Sequence, residues 1–234
     1  MANVAERIAH VQGRIAAACG RGGRDPATVT LVAVTKTFPV SLIREAASLG
    51  LRHFGENRVQ EARDKIPQCA DLDVEWHLIG SLQSNKTNLA LQLFDVIHSV
   101  HSRELAEQIS ARVQRRSQYA DAVSVLLEVN VSRERSKHGF SPEELRHEAL
   151  SIARLPGVTI RGLMTVAPVV SDVEEIRPVF RSLRHLLEEL KPVFQAHPFR
   201  DLSMGMSQDF EVALEEGATL IRLGTALFGP RQLP

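Results

Sequence analysis

The stretch Val29-Thr-Leu-Val-Ala-Val-Thr35, followed by Lys36, decides how the chain is read. It is short, apolar and β-branched, the signature of a strand buried on both faces in a parallel sheet. Upstream, Val4, Ile8, Val11 and Ile15 recur at spacings of three and four, which predicts a helix ended by Gly20 and Gly22-Gly23. Downstream, Pro39 is placed for a first helical position, and Leu42, Ile43, Ala46 and Leu49 form one apolar face. The opening unit is therefore helix, strand, helix.

The same cycle continues to the C-terminus. Further strands are expected at 52–55, 75–79, 95–100, 122–130, 158–166, 199–203 and 219–223, with helices between them. Two helix starts carry capping-box patterns, Ser141-Pro142-Glu143-Glu144 and Ser171-Asp-Val-Glu174. In the second, Pro178 marks either a kink or the true start. Eight β/α units in 234 residues, with the N-terminal segment as an eighth helix, fit a closed (β/α)8 TIM barrel better than an open doubly wound sheet. Composition does not shift along the chain and no long linker interrupts it, so residues 1–234 are read as a single barrel domain.

Composition narrows the function classes. Lys+Arg and Asp+Glu are 28 each, so no net positive field favours nucleic acid. The run Arg112, Arg115, Arg116 reads as a solvated helix face. Hydrophobic residues make up 44% and charged residues 24%, values of a folded globular chain. Two distant cysteines, Cys19 and Cys69, suggest a reducing compartment, and no apolar stretch is long enough for a signal peptide core or a membrane span. The expectation is a cytoplasmic protein with no membrane or nucleic-acid partner.

A β/α barrel carries its active site where the strands end at their C-termini. Alternation puts Val32, Val34 and Lys36 on one face, so if the valines point inward Lys36 does too. A lysine at an apolar mouth loses solvation, and its pKa falls toward that of a neutral amine able to form a Schiff base. From position alone, a lysine reaching out to solvent competes evenly with that reading. Glu56-Asn57, His77, Ser81 to Lys86, Glu128 to Asn130 and the loop with Ser136-Lys-His-Gly139 suggest a polar mouth, although each alone reads as a helix cap or, for His77, a satisfied core or rim histidine. After strands seven and eight stand Leu202-Ser-Met-Gly-Met-Ser207 and Ile221-Arg222-Leu-Gly224-Thr225, where barrels commonly build phosphate sites. Ser207 suits such an anion and equally suits an N-cap. Arg222 would neighbour Lys36 in a closed barrel. A Schiff-base lysine beside a phosphate cradle points to a phosphosugar aldolase or to pyridoxal 5′-phosphate (PLP).

Several segments in one order carry a resemblance over essentially the whole chain. They are Leu31-Val-Ala-Val-Thr-Lys36, Phe54-Gly-Glu-Asn57-Arg-Val-Gln-Glu61, Trp76-His-Leu-Ile-Gly80-Ser-Leu-Gln-Ser-Asn-Lys86, Gly162-Leu-Met164, and the two segments after strands seven and eight, the last running on to Gly229. The chain resembles the PLP homeostasis proteins (the pyridoxal phosphate-binding, proline synthase co-transcribed homologue family). The resemblance implies a barrel like the N-terminal domain of alanine racemase, with PLP on Lys36 as an internal aldimine. It implies that Ser203, Ser207, Gly224 and Thr225 serve the cofactor, chiefly its phosphate, that Arg222 faces the pyridine nitrogen, and that Asn57 and Met164 line the site. It also implies a monomer that binds PLP without turnover and passes it to apo-enzymes. The chain departs from many relatives at Val131 to Phe140, where a Gly-Glu pair ahead of the lysine is replaced, while Lys137 to Phe140 match.

Other activities make specific demands. A PLP-dependent racemase or decarboxylase needs a second base, for which His77 is the candidate, because the single tyrosine, Tyr119, falls near the start of a strand and so at the wrong end. An aldolase would want Glu56 with Lys86 or Lys137 beside its lysine.

Overall fold

The structure is a computed structural model and describes residues 3–115, 122–134 and 137–230. Eight parallel strands close into a barrel in sequential order. They are β1 (Thr30–Val34), β2 (His53–Glu56), β3 (Glu75–Leu78), β4 (Val96–Val100), β5 (Val123–Glu128), β6 (Val158–Met164), β7 (Asp201–Ser203) and β8 (Leu220–Leu223). Seven of the eight fall within the expected windows, and β2 runs one residue past its own, to Glu56. Closure is made by β1 and β8, with Val32 opposite Arg222, which sets Arg222 next to the strand that delivers Lys36.

Helices α1 (Val4–Arg21), α2 (Val40–Ser48), α3 (Val59–Lys65), α4 (Thr87–Leu93), α5 (Arg103–Arg115), α6 (Pro142–Ala153), α7 (Arg177–Leu190), α8 (Phe210–Glu215) and α9 (Thr225–Phe228) surround the barrel. The apolar face of α1, with Ile8, Val11, Ile15, Ala18 and Cys19 buried, packs between α8 and α2. A bidentate Arg14–Glu211 pair ties it to α8. Because α9 is a single turn, α1 fills the place a full helix after β8 would take. Cys19 and Cys69 are buried and unpaired thiols.

Local expectations hold with two corrections. Ser141 caps α6 in a full capping box, with Pro142 in its first turn. Pro39 is the N-cap of α2 and not its first helical residue. Ser171 does not cap; Asp172 does, accepting from the Glu174 N–H of a short 3₁₀ turn, and α7 then starts with Pro178 in its first turn. An aspartate one residue closer satisfies the turn's donors, so the serine has none to accept. Among the described residues, no helix is long and apolar enough to cross a membrane. Arg116 and Tyr119 lie outside the described residues, as does Ser136. Arg112 is occupied by carbonyls, those of Gln108 and Ser84.

The barrel interior departs from the usual filling of branched aliphatics. Val96, Leu126 and Met164 form an apolar cluster there with Val166. Across from them His77, His98, Ser203 and Arg222 are buried, each from a different strand.

Candidate functional site at the barrel mouth

A cavity of about 380 Å3 opens at the C-terminal end of the strands. Lys36, Asn57, Ser207, Arg222, Gly224 and Thr225 all line it, together with apolar walls from Val34, Ile79, Val166, Val170 and Ile176. Six of the eight residues expected at the site thus converge on one space. The other two sit underneath: Met164 in the apolar cluster, and Ser203 as an acceptor for Arg222.

Lys36 is half-buried, just past the end of β1. The turn that presents it is held from below by groups the sequence reading did not anticipate. Lys65, on α3, donates to the Thr35 carbonyl (2.8 Å) and to Glu56 (3.1 Å) and Glu61 (2.5 Å). Thr35 Oγ1 donates to Glu56, and the Thr37 N–H to Glu61. Thr37 takes a φ of 67°, an uncommon region for a β-branched residue, directly after Lys36. Burial raises the Glu56 carboxyl above its usual range against the pull of Lys65. Glu56 therefore supports the turn and does not line the cavity.

Asn57 reaches the mouth because Gly80 yields to it. A side-chain Cβ at Gly80 would fall 2.2 Å from the Asn57 carbonyl oxygen. On the far side, Gly205 adopts a φ of +95°, where a Cβ would also meet Ala213 at 2.7 Å. That bend carries the chain from β7 to Ser207. Ser207 Oγ accepts the N–H of Ala226 (3.3 Å), in the first turn of α9. The expected N-cap of α8 is instead Asp209, whose Oδ1 accepts the Met206 N–H. Ser207 thus joins the β7 loop to the β8 loop.

Arg222 lies at the floor, 5% exposed. Its guanidinium donates to Ser203 Oγ (2.5 Å) and to the Thr165 carbonyl (2.9 Å). Burial pulls it down to about 10, against the opposing pull of Asp209 and Glu128, so it remains a cation at neutral pH.

The wider polar mouth does not assemble as expected. His77 is fully buried below the cavity, with its ring between His53 and His98. It is not placed as a base opposite Lys36. Lys137 Nζ is held by Glu134 and the Val166 carbonyl, and neither it nor Lys86 lines the cavity. The acid–base set of an aldolase is therefore not brought together.

Chemically, the arrangement offers an amine, a hydroxyl, a glycine turn and a buried guanidinium around an apolar slot. This donor set suits a small planar anion bearing a carbonyl.

The alanine racemase N-terminal domain family matches residues 21–232. The chain is 44% identical to a pyridoxal phosphate homeostasis protein of Aquifex aeolicus, covering 98% of this chain and 99% of the relative. It is 40% identical to the protein of that name from Escherichia coli, covering 99% and 98%. Among solved structures, PipY of Synechococcus elongatus without PLP superposes with a TM-score of 0.87 at 40% identity, over 97% of this chain and all of PipY. PipY with PLP bound gives 0.84 at 39% identity over the same shares. Alanine racemase of Corynebacterium glutamicum, at 17% identity and a TM-score of 0.66, shares the fold over 98% of this chain and 62% of its own.

Proposed function

The chain belongs to the pyridoxal phosphate homeostasis proteins, built on the alanine racemase N-terminal domain, and from that premise we propose that it binds PLP at the barrel mouth with Lys36 as the covalent attachment point. The observation that carries this reading is the convergence of Lys36, Asn57, Ser207, Arg222, Gly224 and Thr225 on one cavity. PLP supplies an aldehyde that condenses with a primary amine, losing water, on a ring that withdraws electrons.

The chain's own residues divide the binding. Val34, Ile79, Val166 and Val170 offer apolar walls to the ring. Ser207 and the Gly224-Thr225 backbone hold the phosphate, and Asn57 closes the side of the slot. Arg222, braced by Ser203, presents N–H donors to the pyridine nitrogen. A guanidinium does not hand over a proton as a carboxylic acid does, so the ring stays a weaker electron sink. Met164 sets the apolar floor.

This favours a carrier that holds PLP and passes it to apo-enzymes, with no turnover of its own. Among the described residues lining the cavity, the titratable ones are Lys36, Asp209 and Arg222. Asp209 is held by the Met206 N–H, and its carboxyl is raised by burial. The same reading makes the protein a cytoplasmic monomer, one barrel domain over residues 1–234.

The test is an absorbance spectrum with and without borohydride, followed by peptide mass analysis. The expected result is a violet band that borohydride bleaches, with a pyridoxyl mass on Lys36. Lys36→Ala should abolish the band and the adduct while PLP still binds weakly through its phosphate. A band that survives in Lys36→Ala overturns the assignment of Lys36, and no band after adding PLP overturns the cofactor. Product formed from a panel of amino acids would overturn the carrier role.

A further inference from the structure

At the opposite end of the barrel from the cofactor cavity, three potential ligand atoms meet. His53 Nδ1 and His77 Nε2 are 3.2 Å apart. Glu75 Oε1 lies 3.1 Å from His77 Nε2 and 3.5 Å from His53 Nδ1. The residues come from the starts of β2 and β3, which are paired with His53 opposite Glu75. Alternation along β3 then puts Glu75 and His77 on one face.

In the metal-free protein this meeting is poorly satisfied. Glu75 Oε1 is buried, and the groups that face it are the two imidazoles and, at 3.6 Å, Arg161. Three atoms that can each present a lone pair crowd one another. Arg222 donates to Ser203 Oγ, and one arrangement that satisfies the row has the serine hydroxyl donating onward to His98 Nδ1 (2.9 Å). His98 then carries its proton on Nε2 and donates to His77 Nδ1 (2.9 Å). His77 is left with a proton on Nε2, directed at His53 Nδ1. In that arrangement one buried row of hydrogen bonds runs from the cavity at the mouth to the closed end.

The spacing has a simple geometric meaning. Tetrahedral ligands at the roughly 2.0–2.2 Å of zinc–nitrogen and zinc–oxygen bonds stand about 3.3–3.5 Å from each other. The three atoms therefore form one face of such a tetrahedron, leaving the fourth position toward solvent. That side opens into a recess of about 350 Å3 lined by Arg52, His53, Asp73, Val74, Glu75 and Asp95, in which three carboxylates face one guanidinium. Arg161 stands nearby, but its Nε is bound to Asp201 at 2.8 Å and its NH1 is 3.6 Å from Glu75 Oε1. The outer support of a metal-bound histidine, a partner on the other ring nitrogen, is already present as His98.

We propose that His53 Nδ1, His77 Nε2 and Glu75 Oε1 form a binding site for a divalent transition-metal ion of the zinc class, at the closed end of the barrel. Binding takes His77 Nε2 as a lone pair, so its proton moves to Nδ1. His98 then accepts on Nε2 and carries its proton on Nδ1, donating to Ser203 Oγ. The proton count is unchanged, and both imidazoles exchange tautomers. The site shares no residue with the PLP cavity, so its failure would leave the cofactor reading untouched.

The experiment titrates Co2+ and Zn2+ into the purified full-length protein after chelator treatment and dialysis, with and without PLP loaded. One equivalent of Co2+ should bind with the visible absorbance of a four-coordinate ion and be displaced by Zn2+. His53→Gln and Glu75→Gln, checked for folding by circular dichroism, should each weaken uptake at least tenfold. In the wild type, nitrogen-15 spectra of the imidazoles should show His77 and His98 changing from Nε2–H to Nδ1–H on adding Zn2+. Uptake that does not saturate at one equivalent, that is undiminished in both variants, or that leaves both tautomers unchanged would overturn the proposal. The spectra test it in the wild type even if a variant misfolds.

Discussion

At its mouth the barrel holds its polar groups apart across apolar walls, whereas through its middle and closed end they touch in an unbroken row. Lys36, Asn57 and Ser207 each come from a different loop and face a shared space between Val34, Ile79 and Val166. Arg222, Ser203, His98 and His77 come from the strands themselves and are joined at 2.5 to 2.9 Å. The mouth can exchange a ligand because its groups surround an open cavity. The row below rearranges together, because each group in it is hydrogen-bonded to the next. Arg222 belongs to both regions, and it is where the comparison can be broken.

Arg222→Ala should have the largest effect. It leaves Ser203 Oγ and the Thr165 carbonyl without their donor and strips a buried cation from between Asp209 and Glu128. Loss of one partner from a buried charged network costs about 3–5 kcal/mol. Urea unfolding should register that loss, while PLP remains fixable to Lys36 by borohydride with the ring more loosely held. A variant within about 1 kcal/mol of wild type would show that mouth and row are not joined through this residue.

The row also sets a pH dependence. Burial lowers both His77 and His98, the latter well below the usual histidine range, so both are neutral in the folded protein. In the unfolded chain they take up protons as pH falls below about 6.5. The unfolded state then binds more protons, and stability falls with pH by up to about 1.4 kcal/mol per unit for each histidine. The loss continues until pH passes below the folded pKa. Glu56, Glu128 and Asp209, raised by burial, act in the opposite sense. His98→Gln isolates the histidine part, since glutamine keeps a donor and an acceptor but takes no proton. Unfolding of both proteins at pH 7 and 5.5 should show the smaller acid loss in His98→Gln. Equal losses would mean that His98 is not held neutral.

The same division explains what could be read from the sequence. Lys36 was legible because Val32 and Val34 precede it on one short strand, and alternation needs no other part of the chain. Ser207, Gly224 and Thr225 were legible as mouth residues because they follow the last two strands, where barrels commonly build anion sites. His98 was not, because it is one inward polar residue in a short strand and meets Ser203 across 105 residues only once the sheet closes. His77 drew notice as a mouth residue, one register too high. The available signal was inward alternation compared across strands, where His53, Glu75, His77, His98, Ser203 and Arg222 stack as polar residues in a face expected to be aliphatic. Lys65 escaped for a related reason: a lysine ending a helix reads as solvated until Glu56 and Glu61 are placed around it.

The smallest effect belongs to the mouth alone. Ser207→Ala removes the acceptor for the Ala226 N–H at the first turn of α9, a cap-like contact at a part-buried site. Without PLP it should cost about 1 kcal/mol, the usual worth of such a hydroxyl. With PLP the cost should grow, because a hydrogen bond to a charged phosphate contributes about 1.5–3 kcal/mol, or roughly a ten- to hundredfold loss of affinity by equilibrium dialysis. Combined with His98→Gln, its effect on stability should add within about 0.5 kcal/mol, as for sites that share no partner. Combined with Arg222→Ala, its effect on PLP affinity should not add, since both act on one ligand. Additivity in the second pair, or its failure in the first, would move the boundary between the exchanging mouth and the locked row away from Arg222.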